Sequence, residues 1–347
     1  MAKWVSSTAL LGAPDLVAEL GGDWDALIAE SGLPCGIAPS SAQLIEVAGL
    51  ARFLTLAADR LKCESFGLRL SHHQGFSVLG QLASLLGSAN SIGELLHDLA
   101  AYFPVFTVGA LVALVESPEG IEVNYELAAG TGLAHRHITE LGFGILVKEI
   151  RRHLPRWEPQ YITLRHAPPA DRRYHAQLLG PTIYSNADRN SIFITRAELA
   201  APTCEGSVLL HGELAARYDA MRQSTPGATA ANVENLVRAF MPHATIDLAK
   251  TASLLRMSRR TLQRRLAQDG TSLAQIVDAV RADLALSYLQ ESRLNVTQIA
   301  ELLQFSETSA LSRAVVRWYG KPPSAIKLGQ TTPAEPIPAV SPMAIAP

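Results

Sequence analysis

Four arginines crowd one short stretch of this chain. Arg259, Arg260, Arg264 and Arg265 lie within MSRRTLQRRL, with Gln263 among them. Guanidinium groups can bond guanine O6 and N7, and a glutamine amide can bond adenine N6 and N7. This is base-reading chemistry if one helix presents it to the major groove. With Leu262 and Leu266 turned inward, Arg260, Gln263 and Arg264 share an outward stripe and are the candidate base readers. Arg259 and Arg265 flank the stripe, where phosphate is the expected partner. Ser258, just ahead of the arginines, is a fitting N-cap.

The stretch belongs to a repeat. Residues 246–266 (IDLAKTASLLRMSRRTLQRRL) are echoed by residues 295–318 (NVTQIAELLQFSETSALSRAVVRW). Ala252 and Leu255 correspond to Ala300 and Leu303, and Ser258 to Ser306, 48 residues on. Leu262, Arg264 and Leu266 correspond to Leu311, Arg313 and Val315 at an offset of 49. Each copy has a short helix with an alanine where a second helix must cross closely, then a tight turn and a capped second helix. That is a helix-turn-helix, which lays its second helix in the major groove of DNA. Between the copies, residues 271–291 are helical in period. About 20 helical residues span roughly 30 Å, close to the ~34 Å between successive groove faces. One chain can therefore place two recognition helices in adjacent grooves.

Other chemistries find less support. His72, His73, His135, His137 and His153 lie in no HExxH pattern, so they read as surface or hydrogen-bonded core groups, and no metal or other cofactor is expected. No G-x-S-x-G, GxxxxGK[ST] or strand-following GxGxxG motif is present, and the chain reads as non-enzymatic. Cys35, Cys63 and Cys204 are too few and too scattered for a disulfide scaffold or a four-cysteine zinc site. Arg151 and Arg152 are candidates for a carboxylate ligand, with a solvated helix end as the competing reading.

The elements around these residues divide the chain. Its 347 residues, 48% hydrophobic and 18% charged, exceed one domain of about 100–200 residues and exclude wholesale disorder. Residues 1–104 read as helical, with one apolar face along 41–61 and a capping box at Ser91 and Glu94. Residues 106–116 and 120–127 alternate around the turn SPEG and read as a hairpin. A helix over 132–154, a strand in 159–166, a helix in 168–179 and a strand at 190–195 complete an α+β domain. The expected organisation is a domain at 1–223, a linker at 224–231, an all-α domain at 232–328 and a proline-rich, disordered tail at 329–347. Between Ala231 and Lys327 there are 13 Lys/Arg and 8 Asp/Glu, a net +5; the rest of the chain carries 17 and 24, a net −7. A basic segment on an acidic body implies a polyanion partner for the basic part. No run approaches ~18 uninterrupted apolar residues, so no membrane partner is expected. No secretory leader is expected either, and the sparse cysteines fit a reducing, cytoplasmic setting.

The Ala252…Ser258-x-Arg260-x-Leu262-x-Arg264 unit and the later Phe305-Ser306…Leu311-x-Arg313…Arg317-Trp318-x-Gly320-x-Pro322-Pro323 run resemble the DNA-binding domain of AraC/XylS-type bacterial transcription regulators. Phe66-Gly67-Leu68-Arg69-Leu70, Val78-Leu79-Gly80 and the SIGELLHDLAAYFPV stretch resemble the arabinose-binding-type domain that precedes it in relatives of ornithine-utilisation and mycobacterial virulence regulators. The two resemblances cover nearly all of the chain except the tail. They imply base contacts by Arg260, Gln263 and Arg264 in the first unit and by Thr308, Ser309 and Arg313 in the second. Arg317 and Lys321 are assigned to phosphate. Arg256 and Gln304 stand where the family usually has glycine, so a positive φ there carries a cost. Leu311 and Val315 replace a usual Phe pair, and Ile326-Lys327 a usual Tyr-Arg.

The domain name does not make the ligand a sugar. Three roles for the acidic half stand side by side: binding a small-molecule effector, dimerising, or contacting another protein. An effector pocket would draw on the hairpin and its neighbouring helices, with Tyr102, Phe103, Phe106 and Tyr125 as aromatic candidates that core packing equally explains. The expected protein is a DNA-binding, effector-responsive regulator, with double-stranded DNA, RNA polymerase and a second copy of the chain as partners. The alternative is a ligand-independent repressor or architectural protein whose first half only dimerises.

Overall fold

The computed structural model describes residues 4–107, 110–127, 136–224, 228–241, 246–255, 257–291 and 294–327. Two separate hydrophobic cores organise them. The first gathers side chains from Val5 to Tyr218, among them the fully buried Phe53, Phe66 and Phe143. The second runs from Val233 to Ile326. An α+β domain is thus followed by an all-α helix-turn-helix domain, the fold class expected.

Strand β1 (Trp4–Ser6) pairs antiparallel with β2 (Leu44–Glu46). The main sheet holds β3 (Ala110–Glu116), β4 (Gly120–Leu127), β5 (Ile162–Leu164), β6 (Ile183–Ser185) and β7 (Ser191–Thr195) in the order β3-β4-β7-β5-β6. Only β5 and β6 run parallel. Helices Ile92–Phe106 and Arg136–His153 flank the β3–β4 hairpin in sequence.

Several sequence expectations are corrected. The first hundred residues are not helical throughout: Leu44, counted on a helix face, is a strand residue 67% exposed, and the helix starts only at Val47. Pairing with residues some forty positions earlier outweighs the local helical period. Phe106, read as strand, closes the helix Ile92–Phe106. Of the segment read as a linker, Ser224 ends the helix Val208–Ser224 and residues 228–231 open the helix Ala228–Phe240. Alanine is the strongest helix former, Val233 and Val237 anchor this helix in the second core, and Asp269 accepts from Ala230 N. The proline-rich tail at 329–347 lies outside the described residues. At Ser91 the cap forms, with Oγ accepting from Glu94 N, but the Glu94 carboxylate turns to Asn90 instead of closing the box.

Candidate DNA interface and effector cavity

In the first helix-turn-helix, Asp247 accepts from Lys250 N at 2.8 Å and opens the helix Leu248–Leu254. Ala252 is buried at the crossing. Ser258 is extended at φ −73° and accepts from Thr261 N at 3.1 Å, capping the recognition helix Arg259–Gln268 as expected. Leu262 and Leu266 are buried in the second core. Arg259, Arg260, Gln263 and Arg264 are exposed, and Arg265 is half-buried. All four arginines are without an ion pair among the described residues, so this surface carries uncompensated positive charge.

The second unit uses different devices for the same shape. Asn295 and Gln298 form a capping box at the helix Val296–Leu302, and Ala300 is buried. Gln304 adopts φ +57°, the left-handed turn foreseen at this position. Arg281 holds that turn by donating to Leu303 O at 2.9 Å and Gln304 O at 3.0 Å, with its guanidinium over the Phe305 ring. The Gln304 amide also donates to Met241 O. These bonds offset the left-handed strain of a residue with a Cβ. Arg256, the matching position of the first unit, lies outside the described residues.

Ser306 does not cap the second recognition helix. That helix runs Thr308–Tyr319 with Glu307 at its N-cap, and no side chain closes the cap. The turn is one residue longer than in the first unit, which is why the repeat offset changes from 48 to 49. Leu311 and Val315 are fully buried in place of the larger pair. Arg313 is exposed, whereas Ser309 donates to Glu307 and half-buried Thr308 faces Thr297. Arg317 donates to Asp278 at 2.5 Å and lies over Trp318, so a phosphate would have to displace a carboxylate. Half-buried Lys321 follows the end of the helix. Between the units stands the helix Leu273–Glu291, 19 residues or about 28 Å.

In the first domain, β1, β3, β4 and five helical segments line a cavity of about 110 Å³. Phe103 and Tyr125 line it, together with Val112, Val123, Leu141 and Gly142. Tyr102 does not: its hydroxyl donates to Asp219 and its ring packs beside Tyr218. The Phe106 side chain lies outside what is described. Arg151 donates to the carbonyls of Trp157 and Leu178, and Arg152 to Glu149, so both hold local structure.

The hairpin has two working faces. Residues alternate sides along a strand, and Val112 opposes Tyr125 on the cavity side. On the other side Leu111 opposes Glu126, and here the helix Ala228–Phe240 of the second domain packs on β3. Glu126 lies 3.6 Å from Arg165. Burial raises the Glu126 pKa, and the charges of Arg165 and of Arg238 on that helix act against the rise. Arg165 covers the ring of Tyr288 in the connecting helix at 5.3 Å. Sequence periodicity carried no sign of this junction; strand alternation at Tyr125 and Glu126 was the one legible hint.

A second cluster also escaped the sequence. Glu140 is fully buried, and its Oε1 lies 3.0 Å from Arg136 Nε, 2.9 Å from His175 Nε2 and 3.0 Å from His166 Nε2. Burial would raise its pKa, but the bonds from His166 and His175 and the charges of His175 and Arg136 hold it below the usual carboxylate range. Burial pushes His137 down to about 4, against the pull of Glu140. Among the described residues no His/Cys/Asp/Glu group is arranged to hold a metal ion. In the unfolded chain His137 protonates near pH 6.5, so the unfolded state binds the extra proton between pH 6.5 and 4. Stability is full above this window and falls as pH drops through it; Glu140 adds a loss in the same direction below 4.5. The melting temperature should therefore fall by several degrees from pH 7 to pH 4.5. His137→Gln should flatten the upper part of that profile, and an unchanged profile would show that His137 is not the group responsible.

A repeated helix-turn-helix with a stripe of unpaired arginines defines a DNA-binding protein, here joined to a cavity-bearing α+β domain. Residues 21–203 match the arabinose-binding domain of AraC transcription regulators and residues 251–328 a helix-turn-helix domain. The first match spans more than half of the chain, which belongs to the AraC family of transcription regulators. The HTH-type transcriptional regulator VirS of Mycobacterium tuberculosis is 28% identical over 92% of this chain and 95% of its own length. The ornithine utilization regulator of Pseudomonas aeruginosa is 44% identical over 22% of this chain and 23% of its own. The structure of the transcriptional regulator CdpR from Pseudomonas aeruginosa, 20% identical, aligns over 90% of this chain and 97% of that one with a TM-score of 0.43. No helix among the described residues is long and apolar enough to cross a membrane.

Proposed function

We propose that this regulator couples a small-molecule effector in the first domain to DNA binding by the second. In this reading residues 1–223 sense the effector and meet a second copy, residues 232–328 bind DNA through two recognition helices in adjacent major grooves, and RNA polymerase is the downstream partner in the cytoplasm. The two-faced hairpin carries the reading. A ligand that moves Tyr125 moves the backbone of Glu126, which pairs with Arg165, and Arg165 covers Tyr288 of the second domain. Such a ligand shifts DNA affinity only if it binds the two arrangements of the junction unequally. The exposed run Val208, Leu209 and Leu210 offers an apolar surface for the second copy.

Two measurements on the full chain test this. Footprinting on a site selected from random DNA should show two protected segments about one helical turn apart; a single segment would defeat the adjacent-groove arrangement. Glu126→Gln should leave the melting temperature nearly unchanged and shift affinity for that site about fivefold or more, in the range of coupling energies between sites. Affinity equal to that of the unsubstituted chain would reduce the hairpin to a passive wall.

A further inference from the structure

The chemistry of the cavity wall restricts what it can hold. Among the described residues no Lys, Arg, His, Asp or Glu lines it, and the polar side chains of the wall are Gln74, Thr107 and Tyr125. Most of their polar groups are already engaged. The Gln74 amide nitrogen donates to Ala9 O at 2.9 Å and Leu11 O at 2.8 Å, which uses both hydrogens and fixes the amide. Thr107 Oγ1 donates to Trp4 O. Lys148, further along the helix Arg136–His153, donates to the carbonyls of Ser71, His72 and Gln74 and is not part of the wall. Two groups are left over. Gln74 Oε1 is buried without a hydrogen-bond partner, on a residue only 3% exposed. The Tyr125 hydroxyl makes no hydrogen bond among the described residues, and burial pushes its pKa far up, so it stays protonated as a donor.

From this wall we infer that the ligand is a compact, neutral hydrocarbon carrying a single hydroxyl, a small phenol or cyclic alcohol. The inference rests on reading this cavity as the effector site. About 110 Å³ is of the order of the roughly 150 Å³ cavities that hold benzene. The ligand hydroxyl donates to Gln74 Oε1 and accepts from Tyr125, and its ring lies among Val112, Val123 and Leu141. A free sugar is excluded by number: each further hydroxyl would be desolvated without a partner. A carboxylate or phosphate is disfavoured by charge, because no cation faces it among the described residues. The domain's name notwithstanding, this wall is not built for arabinose.

The test uses the full chain, calorimetry and thermal melting, with phenol, cyclohexanol, toluene, benzoate and L-arabinose as probes. Phenol and cyclohexanol should bind saturably at one site and raise the melting temperature, because they bind the folded state alone. Toluene, lacking the hydroxyl, should bind about fivefold more weakly. Benzoate and L-arabinose should produce no shift. Tyr125→Phe keeps the volume and should erase most of the preference for phenol over toluene. Gly142→Leu projects its side chain under the Tyr125 ring, since a Cβ at Gly142 already meets that ring at 3.5 Å, and should abolish phenol binding. Binding of L-arabinose or benzoate as tight as that of phenol, no saturable phenol binding, or phenol binding indifferent to Tyr125→Phe would overturn the inference. DNA affinity measured alongside separates the two readings. Phenol bound with unchanged DNA affinity upholds the ligand class and overturns only the effector role.

Discussion

Replacing Arg264 by alanine should weaken binding to the selected DNA site about tenfold to a hundredfold and relax discrimination at one base position. Arg264 stands on the exposed face of the helix Arg259–Gln268 with Arg260 and Gln263, opposite the buried Leu262 and Leu266. Among the described residues it has no carboxylate partner to give up, which leaves its guanidinium available for the proposed guanine contact. A good bidentate pair is worth about 1–3 kcal/mol of discrimination. Arg265 makes the contrast. It is half-buried at the flank, the position proposed for a phosphate contact. Arg265→Ala should weaken selected and random DNA alike and lower the salt slope by about one. Anisotropy titrations on the selected site, its single-base variants and random DNA, each at several salt concentrations, read out both effects. Identical losses for the two variants on every DNA would show that the helix is not oriented as described.

Gly67→Ala should be the most damaging single methyl in the first domain, costing more than about 3 kcal/mol or preventing folding. A Cβ at Gly67 would lie 2.0 Å from His137 O and 2.6 Å from its carbonyl carbon. Backbone cannot yield as the end of a flexible side chain can. The helix Phe66–Leu70 would have to part from Arg136–His153, withdrawing Phe66, Leu68 and Leu70 from the core and disturbing Glu140 one turn beyond. Gly142→Ala is the matched control in the same helix pair. Its Cβ meets only the Tyr125 ring at ordinary contact distance, and replacing a helical glycine should stabilise by about 0.4–1 kcal/mol. Urea denaturation of both variants decides the matter. Near-native stability of Gly67→Ala would mean that the two helices are not in backbone contact.

The same residue marks how far the sequence could be read. Phe66-Gly67-Leu68-Arg69-Leu70 was legible as a family-like string, but nothing in it states that Gly67 abuts a carbonyl seventy residues later. The hairpin was legible because strand alternation and its turn are local, as was the cap at Ser258. Ser306 misled because the extra residue in the second turn is visible only once the helix starts at Thr308. Tyr102 misled because an aromatic beside the hairpin was free to face either side, and Asp219, 117 residues away, decided it.

What the sequence determined by itself is the chemistry of the exposed face proposed to meet DNA. The repeated Ala-turn-helix units, the arginine stripe and the inward leucines are set by spacings of three and four residues, which any helix must obey. The family resemblance rests on the same local strings. Tertiary structure alone decided the rest. It brought Glu140 to His175 across 35 positions, seated the Gln74 amide on the carbonyls of Ala9 and Leu11, and set Glu126 beside the Arg165 that covers Tyr288. It also left a cavity where periodicity reads only a continuous apolar core. Period specifies which face of an element is buried, whereas the partner of that face, and any gap between them, depends on how distant segments pack.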